Sequence, residues 1–186
     1  MTPARCDCTI ALTFDKMDGE DGEPMTPYFV AGGLALLLAA AGGLTTSIGG
    51  WYRALRKPPW QPPDWLFGPA WTIILGLAAW SAAIAWKAAP DAIARRDVVI
   101  LFAVNAVFHF LWSPLFFRWR RPDWALIEVV FLWGSLVALV VGLWPISTNA
   151  ALLILPYLAW VSFAAFLNLN IVQRNGPFGG NKLGRL

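Results

Sequence analysis

The residues of this chain with the most distinctive chemistry are one histidine, two cysteines and 12 tryptophans. His109 lies in a stretch without acids or bases between Asp97 and Arg118. Asn105 precedes it by four positions and Trp112 follows by three, so on a helix the three share one face. An imidazole there can hydrogen-bond a neighbouring helix as a neutral ring, or present a nitrogen to a bound group. Glu128 is the only acid or base between Asp123 and Arg174. It falls about one turn inside a helix, where it can snorkel to the interface or pair with Arg118 or Arg121. An acid inside a membrane span is a functional candidate by default, but this depth favours a structural role. Cys6 and Cys8 form Cys-x-Cys with no histidine or further cysteine nearby, so neither a metal site nor a disulfide framework is expected. No Ser-His-Asp set, His-rich cluster or phosphate loop is present. What remains is the chemistry of flat rings with a few polar groups among them; at helical spacing such rings more often pack a core, and they also suit a large, planar, apolar ligand.

The elements that must position these groups follow from the distribution of charge. The chain is 58% hydrophobic and 13% charged, against about 25% charged residues in an ordinary soluble domain. That argues against a nucleic-acid-binding domain, a disordered chain and an ordinary soluble enzyme. Apolar stretches without charge run over 28–48, 65–86 and 98–117, and a longer one is broken by the segment 144–149 into about 124–143 and 150–172. Each is long enough for a spanning helix, which needs about 20 residues. The fold expected is an all-α integral membrane protein, a five-helix transmembrane bundle. It occupies residues 26–174, with an acidic extension over 1–25 that lacks structure of its own and a short basic tail over 175–186.

Lys and Arg placement gives the orientation. Arg5, Lys16, Lys87, Arg95 and Arg96 fall on one side. Arg53, Arg56, Lys57, Arg118, Arg120, Arg121, Arg174, Lys182 and Arg185 fall on the other. In an inner or plasma membrane the N-terminus is therefore expected outside and the C-terminus in the cytoplasm.

Small residues spaced by four, Ala31, Ala35, Ala39 and Gly43 on the first span and Gly134, Ala138 and Gly142 on the fourth, read as packing faces. Asp64 and Asp123, each in a Pro-Asp-Trp tripeptide, read as N-caps. Between the first two spans lies a loop with four prolines, Pro58, Pro59, Pro62 and Pro63. It is expected to be stiff and partly extended, with its aromatic rings at headgroup level or folded back over the bundle.

The stretches WYRALRKPPWQPPDWLFGPAW (51–71), FHFLWSPLFF (108–117) and LPYLAWVSFAAFLNLN (155–170) resemble the TspO/MBR family, the tryptophan-rich sensory and translocator proteins, related to the peripheral benzodiazepine receptor. The resemblance implies five helices around a pocket lidded by the Pro/Trp-rich loop, a homodimer, and binding of porphyrins. In some members it extends to cholesterol and benzodiazepine-type ligands. Trp71 and Trp160 match the two helical tryptophans that line the family's ligand site, which in a bacterial member are implicated in light-dependent porphyrin breakdown. Tyr52, Asn105, Trp112, Tyr157, Phe163, Ala164 and Asn168 also fall on family pocket positions. His109 stands where the family usually has Asn, and Glu128 where many members have Asp. Leu169-Asn170 replaces the tyrosine of the animal cholesterol motif, so specific cholesterol recognition is not expected.

Helical rise places Trp71, His109 and Trp160 about 9, 12 and 16 Å from the loop-side ends of their helices, all in the half-membrane beneath the loop. With Trp60 in the loop above, these residues form the expected ligand site. The function expected is a membrane receptor or sensor for porphyrins, with porphyrin degradation through Trp71 and Trp160 as an accompanying chemistry. The alternatives are a transporter of porphyrins or lipids, and a non-catalytic scaffold. No cofactor is required; porphyrin or haem enters as the ligand, membrane lipid surrounds the protein, and nucleic acid is not a partner. His109 either packs as a hydrogen-bonded imidazole or meets the tetrapyrrole, at its edge or as a ligand to haem iron.

Overall fold

In a computed structural model, residues 25–178 are described. Helix α1 spans Thr26–Thr45, and a short helix α2, Gly50–Ala54, opens the proline-rich loop. A 3-10 turn at Asp64–Leu66 runs directly into α3, Phe67–Ala88. Helix α4, Ala92–Ser113, continues through a π turn at Pro114–Arg118. Helices α5, Pro122–Leu143, and α6, Thr148–Asn175, complete the bundle. Five of these segments are long and apolar enough to cross a membrane, and no strand occurs among the described residues. The acidic extension, Cys6, Cys8 and the tail from residue 179 lie outside the described residues.

Local sequence explains the helix ends. Asp91 accepts a hydrogen bond from the Ala94 amide at 2.8 Å, and Ser147 from the Ala150 amide at 3.3 Å, so these two residues cap α4 and α6. Asp64 and Asp123 do not cap, contrary to the sequence expectation. Each follows a proline already at the helix entrance, and each lies inside its first turn. Asp123 instead binds Arg121 through both carboxylate oxygens, and Asp64 reaches back into the loop. Only 55–63 of the proline-rich loop is non-helical, since α2 carries Trp51 and Tyr52 on a helical turn before the prolines begin.

Helices α5 and α6 form the tightest pair. Leu136, Leu139 and Leu143 meet Ala150, Ala151 and Ile154, all fully buried. Ser81 on α3 ties into the same layer by donating to the Ala150 carbonyl at 2.7 Å. Gly142 is a close-approach position, with the Leu101 Cδ1 methyl 2.7 Å from where a Cβ would lie. Gly134, on the same stripe, faces open space. Outward faces are apolar on every long helix, with Phe29, Leu37, Ile73, Ile93, Ile127 and Phe166 among the exposed side chains. Water would penalise such surface, whereas lipid does not.

Two features differ from the sequence reading and shape the site. Helix α1 buries no side chain fully. The helix packs along α3, but the loop-side end of its small-residue stripe, Ala39 and Gly43, lines a cavity, and a Cβ at Gly42 or Gly43 would meet nothing within 4 Å. Glu128 neither snorkels nor pairs with Arg118 or Arg121. It is 7% exposed, with neither carboxyl oxygen hydrogen-bonded, and Arg121 pairs with Asp123 instead.

Candidate functional site

Beneath the loop lies a cavity of about 580 Å³, within the 300–1,000 Å³ range of small-molecule sites. Its walls come from all five spanning helices. Ala39, Gly42 and Gly43 of α1 supply a low wall, and Phe67, Trp71 and Leu75 of α3 an aromatic-aliphatic one. His109, Trp112 and Phe116 come from α4 and its π turn, Val129 and Leu132 from α5, and Trp160, Ala164 and Asn168 from α6. Tyr52 and Asp64 close the mouth.

The π turn has a direct consequence for this wall. Pro114 has no amide hydrogen, and the chain widens so that the Trp119 amide donates to the Pro114 carbonyl at 2.9 Å. Arg120 then takes a left-handed conformation at φ 55° and ends the segment. Phe116 is thereby buried under the loop. It stacks on Trp112 with ring centroids 5.1 Å apart, and Trp51 and Tyr52 pack on it edge-on.

The loop is fastened over the cavity at three places. First, the Tyr52 hydroxyl donates to Asp64 Oδ1 at 3.0 Å, and Gln61 Nε2 donates to both at 3.2 and 3.1 Å. Lys57 Nζ lies 3.5 Å above the Tyr52 ring and 3.8 Å from Asp64 Oδ1. Burial, then the Asp64 carboxylate, pushes the Tyr52 phenol well above its ordinary range. Burial also lowers Lys57, with Asp64 opposing that shift and Arg53 adding to it. Second, the Asn175 side chain at the end of α6 clamps the loop backbone. The Arg56 amide donates to Asn175 Oδ1 at 2.8 Å, and Asn175 Nδ2 donates to the Arg56 carbonyl at 2.9 Å. Third, Trp60 stacks on Phe166 with centroids 5.3 Å apart and meets Phe163 edge-on.

At depth, Trp71 is the hub. Its ring meets His109, Tyr157 and Trp160 edge-on, at 4.8, 5.9 and 6.3 Å between centroids. The Tyr157 hydroxyl and His109 Nδ1 share a hydrogen bond of 2.7 Å. Behind them, Asn105 Nδ2 donates to Ser135 Oγ at 2.9 Å, and Ser135 in turn donates to the Leu132 carbonyl. Trp112 Nε1 and Trp160 Nε1 are buried donors without a partner.

Seven of the residues singled out from sequence therefore line the cavity: Tyr52, Trp71, His109, Trp112, Trp160, Ala164 and Asn168. Four stand behind the lining. Tyr157 bonds His109, Asn105 bonds Ser135 on α5, and Phe163 supports Trp160 at 5.5 Å between centroids. Trp60 sits on the outer side of the loop against Phe163 and Phe166. Asn168 also stitches α6 to α5, its amide bonding the Pro122 carbonyl and the Leu126 amide at 3.1 Å each. Sequence reasoning missed Asp64 and Phe116 as site residues. Asp64 looked like a helix cap, and the burial of Phe116 depends on a π turn with no simple periodic signature. Among the described residues, no group of three or more His, Cys, Asp or Glu is placed to hold a metal ion.

Residues 25–174 match the family model described as TspO/MBR family. The chain belongs to the TspO/MBR family. This TspO/MBR chain is 38% identical over 152 residues to a tryptophan-rich protein TspO of Chlorobaculum tepidum, covering 77% of this chain and 92% of that one. It is 34% identical over 165 residues to the translocator protein of Ovis aries, covering 84% and 97%. With protein CrtK of Rhodobacter capsulatus it shares 35% identity over 149 residues, covering 80% and 90%. The family match and the five apolar helices make it an integral, multi-pass membrane protein.

Proposed function

We propose that this TspO/MBR chain is a membrane receptor or sensor that binds porphyrins in the cavity under the loop. The observation that carries the reading is the cavity wall itself. Trp71, Trp112, Trp160 and Phe116 supply flat rings, while the polar lining is confined to a few groups such as Tyr52, Asp64, His109 and Asn168. Such a wall matches a broad, planar, apolar body with polar atoms at its edge. The fastened loop shields the bound ring from water.

No cofactor is required in this reading, and porphyrin or haem is the ligand. A photoexcited porphyrin would supply its own electronics. Trp71 and Trp160, in edge contact, would donate electrons to it, and dioxygen would be the oxidant that is reduced as the ring is cleaved, so a slow light-dependent degradation would need no protein base. The loop, the α4–α5 connection and the C-terminus face the cytoplasm in an inner or plasma membrane, by the excess of Lys and Arg on that side. The working unit is a homodimer embedded in lipid.

A second reading, transport of porphyrins or lipids, draws on α1. That helix buries no side chain, and its glycines beside the cavity have open space around them, so a ligand could leave sideways. Some relatives carry the name translocator protein.

Titrating detergent-solubilised protein with protoporphyrin tests the first reading. Tryptophan fluorescence is expected to quench to saturation, and Trp71→Phe or Trp160→Phe to weaken binding several-fold, in keeping with about 1 kcal/mol per aromatic contact. Quenching without saturation would leave only a scaffold role. Porphyrin flux across protein-containing liposomes separates transport from sensing. Pigment loss under illumination, compared with a protein-free control, tests the degradation chemistry.

A further inference from the structure

We propose that His109 is an axial ligand position that makes the cavity prefer an iron tetrapyrrole over the metal-free ring. The inference rests on the porphyrin reading above and adds to it a residue and a ligand class. His109 lies in the cavity lining, and its two ring nitrogens have different surroundings. Nδ1 is tied to the Tyr157 hydroxyl at 2.7 Å. Nε2 makes no hydrogen bond, and the residue lies in the cavity lining. His109 therefore brings to the lining one engaged ring nitrogen and one without a partner.

That is the arrangement a metal-binding histidine needs. Ligating imidazoles almost always engage their second nitrogen in a hydrogen bond, which fixes tautomer and ring orientation. Here Nδ1–H would donate to the Tyr157 oxygen, leaving the Nε2 lone pair for iron. Trp71, edge-on at 4.8 Å, and Tyr157, edge-on at 5.9 Å, hold the imidazole between them. Coordination forms one nitrogen–iron bond and displaces whatever ligand the iron carried. No electron is transferred and no further reactant is needed.

The test compares free-base protoporphyrin with ferric haem on the full chain in detergent, for wild type, His109→Asn and Tyr157→Phe. Wild type is expected to bind both, haem the more tightly. The bound haem should show Soret and electron paramagnetic resonance spectra of imidazole ligation. His109→Asn should lose those spectra and cost haem more affinity than the free base, bringing the two affinities together. Tyr157→Phe, which removes the partner of Nδ1, should weaken haem by about tenfold or more, a larger loss than for the free base. If both pigments bind but wild-type haem shows no imidazole ligation, or His109→Asn leaves the spectrum unchanged, the inference is overturned and the porphyrin reading stands. If neither pigment saturates, the porphyrin reading falls and the inference falls with it. A variant that no longer binds the free base does not blur the result, because the wild-type spectrum decides alone.

Discussion

Asn175 is the most economical place to test whether the loop acts as a lid. Its side chain makes two hydrogen bonds to the backbone of Arg56, at 2.8 and 2.9 Å, across 119 positions of sequence. Truncation in Asn175→Ala removes both without touching the cavity lining. A hydrogen bond of this kind contributes about 0.5–1.5 kcal/mol net, and this exposed pair belongs in the lower half of that range. The two together are worth about 1–2 kcal/mol, which corresponds to a roughly 5- to 30-fold rise in the open fraction of the loop. Trp60 on Phe166 and the Tyr52–Asp64 cluster remain to hold the rest of the loop in place. Hydrogen exchange at the Arg56 amide and its neighbours should accelerate by that factor. Porphyrin dissociation should accelerate similarly, with a smaller change in association. Asn175→Asp keeps the acceptor and loses the donor, so an intermediate effect is expected. If exchange and dissociation both match wild type in Asn175→Ala, the clamp contributes nothing and the lid argument fails.

Three further outcomes follow from other sites. Replacing Glu128 by Met, similar in shape but without polar atoms, should raise thermal stability in detergent by about 1–3 kcal/mol, the cost of buried acceptors without partners; a lower melting temperature would show that the carboxyl is needed for the fold. Tyr52 is held above its ordinary value of 10.0, so its contribution is full below that pH and is lost as pH rises through its folded-state value. Lys57, held low, acts in the opposite sense. Tyr52→Phe should therefore remove the alkaline loss of stability specific to the phenol, in melting curves taken on either side of pH 10.0, and an unchanged alkaline limb would contradict the cluster. At Gly142, a new Cβ would press most closely on the Leu101 Cδ1 methyl, the far end of a flexible side chain. Alanine there should change stability by less than about 1 kcal/mol, while leucine should cost about 1–3 kcal/mol by overpacking, as read from thermal unfolding.

Five spans and their approximate limits were legible from charge placement alone, because lipid forbids unpaired charge and broken backbone over the length of a span. Trp71, His109 and Trp160 could be placed in one half-membrane by counting helical rise. Local ambiguity hid the rest. Pro-Asp-Trp satisfies the pattern of a cap, yet the proline takes the helix entrance and turns Asp64 to Tyr52 and Gln61. A stripe of Ala and Gly on α1 reads equally as a packing seam or as a low cavity wall, and only the tertiary arrangement separates the two. Glu128 is buried while Asp123 holds Arg121, and spacing alone does not tell which of two nearby carboxylates takes the arginine.

The central claim is that porphyrin occupies the cavity under the loop, and filling that cavity tests it most directly. Ala164 lies in the lining on α6, so Ala164→Trp projects a large ring into the space the ligand would take. Protoporphyrin titration of this variant, alongside its melting curve, is the measurement. Saturable binding is expected to disappear while thermal unfolding stays close to wild type. Binding of wild-type affinity by the folded variant would place the ligand elsewhere and contradict the account.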